Sequence, residues 1–179
     1  NRFQLDARGL ACPEPVVRTR QALSAAGAAA VVVVTDSPES RDNIVRLGER
    51  EGCRTSWQER EPGVFVVRLE PQERAPTGEE PTGDVVFISS DCIGRGDDKL
   101  GRLLTGLFLR TLSDRPAKPA FLVLANGGVK LALTDSDDLR TLRALEGQGV
   151  RIMGCGTCLD FFGVKDRLQV GVVSNMYEL

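Results

Sequence analysis

The stretch Val31-Val32-Val33-Val34-Thr35-Asp36-Ser37-Pro38, residues 31–38, decides the first half of the chain. Four consecutive valines favour a strand, and an unbroken apolar run of this kind fits a buried one. Ser37-Pro38 then starts a helix: the serine side chain can cap exposed amides, and proline fits the first helical position, where no N–H is needed. Ile44, Leu47 and Gly48 line one face of that helix, and Gly52 stops it. Working outward, residues 2–7 read as a short extended stretch. Residues 13–26 read as a helix with Val16, Leu23 and Ala26 on one side, ended by Gly27. Downstream, strands over 54–58 and 64–69 are joined by a turn at Pro62-Gly63. The order βαβαββ predicts an α+β two-layer sandwich, a sheet with two helices on one face.

Residues 71–83 hold three prolines, two glycines and no large apolar side chain, and they read as a linker. After it the pattern changes. Short apolar strands are expected at 85–89, 121–125, 150–154 and 170–174, separated by helical segments. One helix is carried by Leu100, Leu103, Leu104, Leu107, Phe108 and Thr111, which recur at three- and four-residue steps; another spans 135–146, with Leu139, Leu142 and Leu145 on its apolar side. Such alternation predicts an α/β fold with a parallel sheet. The expected division is a first domain over 1–70, the linker over 71–83 and a second domain over 84–179. A final helix and an edge strand are expected beyond Met176-Tyr177-Glu178-Leu179, and the opening Asn1, which is not Met, suggests a trimmed end.

Charge is balanced in both halves, and no block of one sign occurs, which argues against nucleic acid as a partner. No apolar run reaches the roughly 18 residues that would suggest a membrane span, and no signal peptide is evident. A cytoplasmic location is expected. The five cysteines, Cys12, Cys53, Cys92, Cys155 and Cys158, are an odd number and read as thiols. Histidine is absent altogether, which removes Ser-His, Cys-His and His-metal chemistry. A reactive thiol must therefore be activated by helix N-termini, Arg or Lys.

Cys12-Pro13-Glu14-Pro15 is the first candidate site. Prolines are tolerated in a helix only at its first turn, so Cys12 is expected at the N-cap, on the positive end of the helix dipole. The Glu14 N–H is expected to donate to the sulfur, with Arg8, Arg18 and Arg20 adding positive charge. Cys155-Gly156-Thr157-Cys158 is the second candidate, expected between a strand and a helix. Its readings are a dithiol redox pair, a sulfur acceptor with a resolving thiol, or two buried small apolar residues. Half a zinc site is a poor fit, since no second Cys-x-x-Cys and no histidine completes it; no metal and no cofactor are expected.

Ligands of open parallel sheets bind beyond the carboxyl ends of the strands, which here carry Ser89-Ser90-Asp91-Cys92, Asn126-Gly127-Gly128 and Gly154-Cys155-Gly156. Gly94-Arg95-Gly96 and Asn126-Gly127-Gly128 are candidate anion or substrate loops, the latter with Lys130 nearby. Against this, the first is also a turn before a helix capped by Asp97 or Asp98, and the second a tight turn needing positive φ. Cys53 reads as buried and inert, and Trp57 and Tyr177 as packing residues.

Residues 3–70, through Leu5-Asp6-Ala7-Arg8-Gly9-Leu10-Ala11-Cys12-Pro13-Glu14-Pro15 and the βαβαββ order, resemble the TusA/SirA family of small sulfur carriers. The resemblance implies that Cys12 accepts a persulfide sulfur from a donor such as a cysteine desulfurase, with Arg8, Gly9, Pro13, Glu14 and Pro15 shaping its surroundings. Residues 84–179 resemble the DsrE-like family, which implies a flavodoxin-like sheet and a sulfur-bearing cysteine after a central strand; Cys155 best matches that position, and Cys158 is an additional thiol. The combination resembles the selenium-metabolism YedF family. It implies a persulfide or perselenide carrier, or sulfurtransferase, that takes the chalcogen on Cys12, relays it to Cys155 and delivers it to a downstream acceptor protein, with a homo-oligomer through the DsrE-like domain. The rival expectations are a thiol-disulfide oxidoreductase using Cys155 and Cys158, and a redox sensor or scaffold without covalent chemistry.

Overall fold

A computed structural model describes residues 3–72 and 83–178. It divides into two compact units, Asn1–Glu80 with Asn175–Leu179, and Pro81–Ser174. Most of the expected linker, residues 73–82, lies outside the described residues.

The first unit is an α+β sandwich of β1 (Phe3–Asp6), α1 (Glu14–Ala26), β2 (Val31–Thr35), α2 (Pro38–Arg50), β3 (Cys53–Glu61) and β4 (Val64–Pro71). The valine run is the middle of its sheet, ordered β1-β2-β4-β3, with β1 parallel to β2 and the other pairs antiparallel. Val31, Val33 and Thr35 turn inward, as alternation along a strand requires. Val31 and Val33 join Val67 and Leu69 of the sheet, Val16 and Leu23 of α1, and Ile44 and Leu47 of α2 in one apolar core. Ser37 caps α2 by accepting the Ser40 N–H at 3.2 Å. Trp57 is not an isolated packing residue: it stands half-exposed, with its ring edge on Phe65 and the Arg41 guanidinium over its face at 4.2 Å. Tyr177 lies under the Arg20 guanidinium, and Glu178 pairs with Arg46 at 2.8 Å.

The second unit is a flavodoxin-like α/β fold. Its strands β5 (Val85–Ile88), β6 (Phe121–Leu124), β7 (Arg151–Cys155) and β8 (Val172–Ser174) form one parallel sheet in sequential order. The helices are α3 (Asp98–Asp114), α4 (Leu139–Gly147) and α5 (Gly156–Phe161), with a 3₁₀ segment over Asn126–Ala132. Ile88, Leu122, Leu124 and Ile152 point into a core completed by Leu109, Leu112, Leu142, Leu145 and Leu159.

Two expectations change here. The helix expected over 135–146 begins only at Leu139, because residues 135–138 are spent on turns closed by Ser136 N–H to the Leu133 carbonyl and Asp138 N–H to the Ser136 hydroxyl. More consequentially, α3 buries Gly101, Thr105, Leu109 and Leu112, whereas Leu100, Leu103, Leu104, Leu107 and Phe108 are exposed. The periodicity is real, but α3 carries a second apolar stripe, and the sheet takes the one with the small residues. Gly101 allows this approach: a Cβ there would lie 2.1 Å from the Cys92 sulfur.

Gly128 marks the tightest backbone approach in the second unit. A Cβ would lie 2.2 Å from the Ile88 carbonyl oxygen, whereas at Gly127 nothing comes nearer than 3.6 Å. Gly128→Ala is therefore expected to destabilise this unit by about 1–3 kcal/mol, the usual cost of overpacking, and Gly127→Ala by clearly less. Chemical denaturation of the two variants checks the difference.

Candidate functional site

Cys12 sits in the turn between β1 and α1 and is partly exposed. The turn is fixed at two points. Asp6, the last residue of β1, accepts the Arg8 N–H at 3.1 Å and takes the Arg8 guanidinium on both oxygens, the shortest contact being 2.7 Å. Gly9, held at φ +69, donates its N–H to both carboxylate oxygens of Asp36, at 3.0 and 3.1 Å. Asp36 directly follows β2, so this bond ties the cysteine turn to the central strand. Sequence reasoning missed Asp36; a lone Asp between a strand and a serine cap signals nothing about a partner 27 positions away.

Cys12 is not the N-cap of α1. Pro13 holds that place, following a cis Cys12–Pro13 peptide bond, and the helix begins at Glu14. Nor is the Glu14 N–H available to the sulfur, since it donates to the Ala11 carbonyl at 2.9 Å and closes a turn across Cys12. The neighbouring arginines are neutralised: Arg8 by Asp6, Arg18 by Glu14 at 2.8 Å, and Arg20 by Glu51 at 3.4 Å. Pro15 is buried in the first turn of α1. What the sequence places here is a thiol on a braced turn, beside a helix end but not capping it.

In the second unit the ends of three parallel strands converge. Gly127, after β6, lies against Ser90 and Asp91 after β5. Asn126, at φ +46, donates its N–H to the Cys158 sulfur at 3.1 Å. The positive φ expected of the glycines falls on Asn126 instead; Gly128 is required by its closeness to Ile88. Cys155 ends β7, precedes α5 as its N-cap and is 1% exposed within the apolar core. Cys158, in the next turn, is partly exposed. The structure thus brings Asn126 and Cys158 together and seals Cys155, the position matched by resemblance, beneath them.

The Gly94-Arg95-Gly96 loop is exposed, with Gly94 and Gly96 at φ +84 and +146. It leads into α3, whose Asp97 cap accepts the Leu100 N–H at 2.8 Å, so the loop behaves as a helix entry. Cys92 lies 3.4 Å from the Asp98 carbonyl and packs on α3 at Gly101. Cys53 opens β3; it is only partly buried, and burial together with nearby Glu51 pushes its thiol pKa up, which disfavours the thiolate. No disulfide joins the five cysteines, all of which lie among the described residues. A cleft of about 610 Å³ beside α3 is lined by Leu103, Leu107, Arg110, Lys130, Asp138 and Phe162 among others.

The Asp6–Arg8 contact has a measurable signature. Hydrogen bonds from the Arg8 side chain and backbone lower the Asp6 carboxyl from 3.8 to about 2. A depressed carboxylate contributes its stabilisation above the unfolded value of about 3.9, and loses it as pH falls toward the folded one. Both groups are exposed, so the energy is small. Arg8→Ala is expected to raise the Asp6 midpoint toward the ordinary value, though not fully, because the backbone N–H remains. NMR titration of the Asp6 carboxyl carbon reads this directly.

Comparison with known proteins covers the segment that holds the first of these sites. Residues 3–70 match the family described as sulfurtransferase TusA. Among solved structures, a SirA-like protein from Desulfitobacterium hafniense is 34% identical, over 40% of this chain and 99% of that one, with a TM-score of 0.38. A protein of unknown function from Methanobacterium thermoautotrophicum is 30% identical, over 53% of this chain and 83% of that one, with a TM-score of 0.40. No curated protein matches. The family match covers the braced turn, Cys12 and both helices of the sandwich, and residues 3–70 of this chain are a TusA/SirA-like sulfurtransferase domain.

Proposed function

We propose that the protein is a two-station chalcogen carrier, in which Cys12 accepts sulfur as a persulfide, or selenium as a perselenide, and the Cys155/Cys158 region of the second unit takes it next. The observation that carries this reading is the position of Cys12: a partly exposed thiol on a turn tied to β1 through Asp6 and to β2 through Asp36, inside the segment that matches the sulfurtransferase family. The chemistry is thiol exchange. The Cys12 thiolate attacks the outer sulfur of a donor persulfide, and the donor thiol leaves. No acid or base side chain is needed beyond the thiol itself, which suits a chain without histidine.

The donor in this reading is a cysteine desulfurase or a similar persulfide protein, and the final acceptor is another protein. A DsrE-like assignment of the second unit, membership of the YedF family and a cytoplasmic location belong to the same proposal. No helix among the described residues is long and apolar enough to cross a membrane. Incubating the full chain with a cysteine desulfurase and cysteine, or selenocysteine, should add one chalcogen atom to Cys12, as seen by non-reducing peptide mass spectrometry. Cys12→Ala should abolish loading of the whole chain from that donor, including the second unit. Undiminished loading of Cys12→Ala would overturn the first station.

The reading includes a homo-oligomer through the second unit, and the exposed stripe of α3 supports it. Leu100, Leu103, Leu104, Leu107 and Phe108 expose on the order of 400 Å² of apolar surface, about half of what one partner buries in a standard interface. The adjoining cleft is lined by four basic residues, Arg102, Arg110, Lys130 and Arg167, and four acidic ones, Asp91, Asp135, Asp137 and Asp138. A mixed, neutral rim is self-complementary and suits a second copy better than a charged ligand. Light scattering after size exclusion should give an oligomer for the wild type and a monomer for Leu103→Glu combined with Leu107→Glu, with folding preserved because both side chains are exposed.

A further inference from the structure

The two thiols of the second unit are unlike each other. Cys155 is 1% exposed and belongs to the core, so no protein-bound or small persulfide can reach it from outside. Cys158 is partly exposed, and its sulfur is held by the Asn126 N–H at 3.1 Å. The two are three residues apart across the first turn of α5, which sets their Cα atoms about 5–6 Å apart, within the span a disulfide accepts. A persulfide formed on the partly exposed Cys158 would therefore have a second, buried thiol one helical turn away.

Building on the carrier reading above, we propose that Cys158 is the acceptor of the second unit and Cys155 a resolving thiol that discharges the bound sulfur as hydrogen sulfide. In the first step the Cys158 thiolate attacks the outer sulfur of a persulfide R–S–SH; the S–S bond breaks, R–SH leaves, and Cys158 carries –S–SH. In the second step the Cys155 sulfur, having lost its proton, attacks the Cys158 Sγ. A Cys155–Cys158 disulfide forms, the bond to the outer sulfur breaks, and HS⁻ leaves with the released proton. The outer sulfur is reduced to sulfide while the two cysteine sulfurs are oxidised, so no external oxidant enters. The sum is one persulfide and two thiols giving R–SH, one disulfide and one molecule of hydrogen sulfide. Attack on the outer sulfur would instead move the persulfide onto Cys155 without releasing sulfide, so the mapped product distinguishes the two. A dithiol reductant then resets the pair. The second unit on this account passes its sulfur to the acceptor protein as released sulfide instead of as a stored persulfide, and it stops after one discharge when reductant is lacking.

The test uses the whole 179-residue chain carrying Cys12→Ala, reduced, desalted and exposed to glutathione persulfide. Failure of loading at Cys12 from a desulfurase would sink the first station without touching this result, and the reverse also holds. Sulfide is measured with methylene blue, and the thiols are mapped by alkylation and non-reducing peptide mass spectrometry. The expected result is a Cys155–Cys158 disulfide with a matching amount of sulfide. In Cys155→Ser and Cys155→Ala the persulfide should persist on Cys158, with sulfide release reduced to the level of Cys158→Ser. A stable persulfide on Cys158 while Cys155 is intact, an unmodified Cys158, or sulfane sulfur on Cys155 in Cys158→Ser would each overturn the assignment. If neither Cys155 variant folds, as circular dichroism would show, the parent chain decides between disulfide with sulfide and stable persulfide.

Discussion

In a chain without histidine, where the arginines nearest Cys12 in sequence are already paired with carboxylates, the backbone does much of the positioning of the thiols. Two backbone amides carry that task. The Gly9 N–H goes to Asp36 and fixes the turn that presents Cys12. The Asn126 N–H goes to the Cys158 sulfur itself. Both lie where a strand has just ended, which is where amides are no longer consumed by a sheet ladder. Parallel pairing makes this possible in each unit, because it brings the carboxyl ends of neighbouring strands to the same edge.

Small residues allow the close packing that these contacts require. Gly128 lets the segment after β6 pass over the Ile88 carbonyl, and Gly101 lets α3 settle on Cys92. A methyl group at either position would push apart elements whose ends form the site. Different means brace the first unit: a carboxylate at the end of each of β1 and β2, Asp6 and Asp36, reaches back to the turn. Each carboxylate is itself engaged, Asp6 by a guanidinium and an amide, and Asp36 by an amide.

Much of the fold is legible in the sequence, since its signals are local. The valine run, the Ser37-Pro38 helix start and the turn at Gly63 each depend on neighbours within a few positions, and together they specify the sandwich. Alternating apolar strands and helices specify the parallel sheet. What cannot be read are facts about which surface covers which. The leucines of α3 announce a helix, yet nothing in their spacing says that the stripe of Gly101, Thr105, Leu109 and Leu112 faces the sheet. Cys155 and Cys158 share a spacing that puts them one turn apart, but only their placement against the core shows that one is sealed and the other open. The Cys12 turn departs from expectation by one residue, because the Ala11 carbonyl outcompetes the sulfur for the Glu14 amide.

The ion pairs around the first cysteine bear on how it finds its partners. Arg8, Arg18 and Arg20 each face a carboxylate, so these three side chains add little net positive charge to the approach to Cys12. Long-range steering accelerates encounter only when a surface presents unbalanced charge, and it fades as ionic strength rises. Docking on this face must then rest on short-range fit, at the unassisted association rates of about 10⁵–10⁶ M⁻¹s⁻¹ that neutral surfaces show. On the proposed carrier reading, these arginines would give a donor little long-range attraction for salt to screen, and partners would be discriminated through how long they stay together.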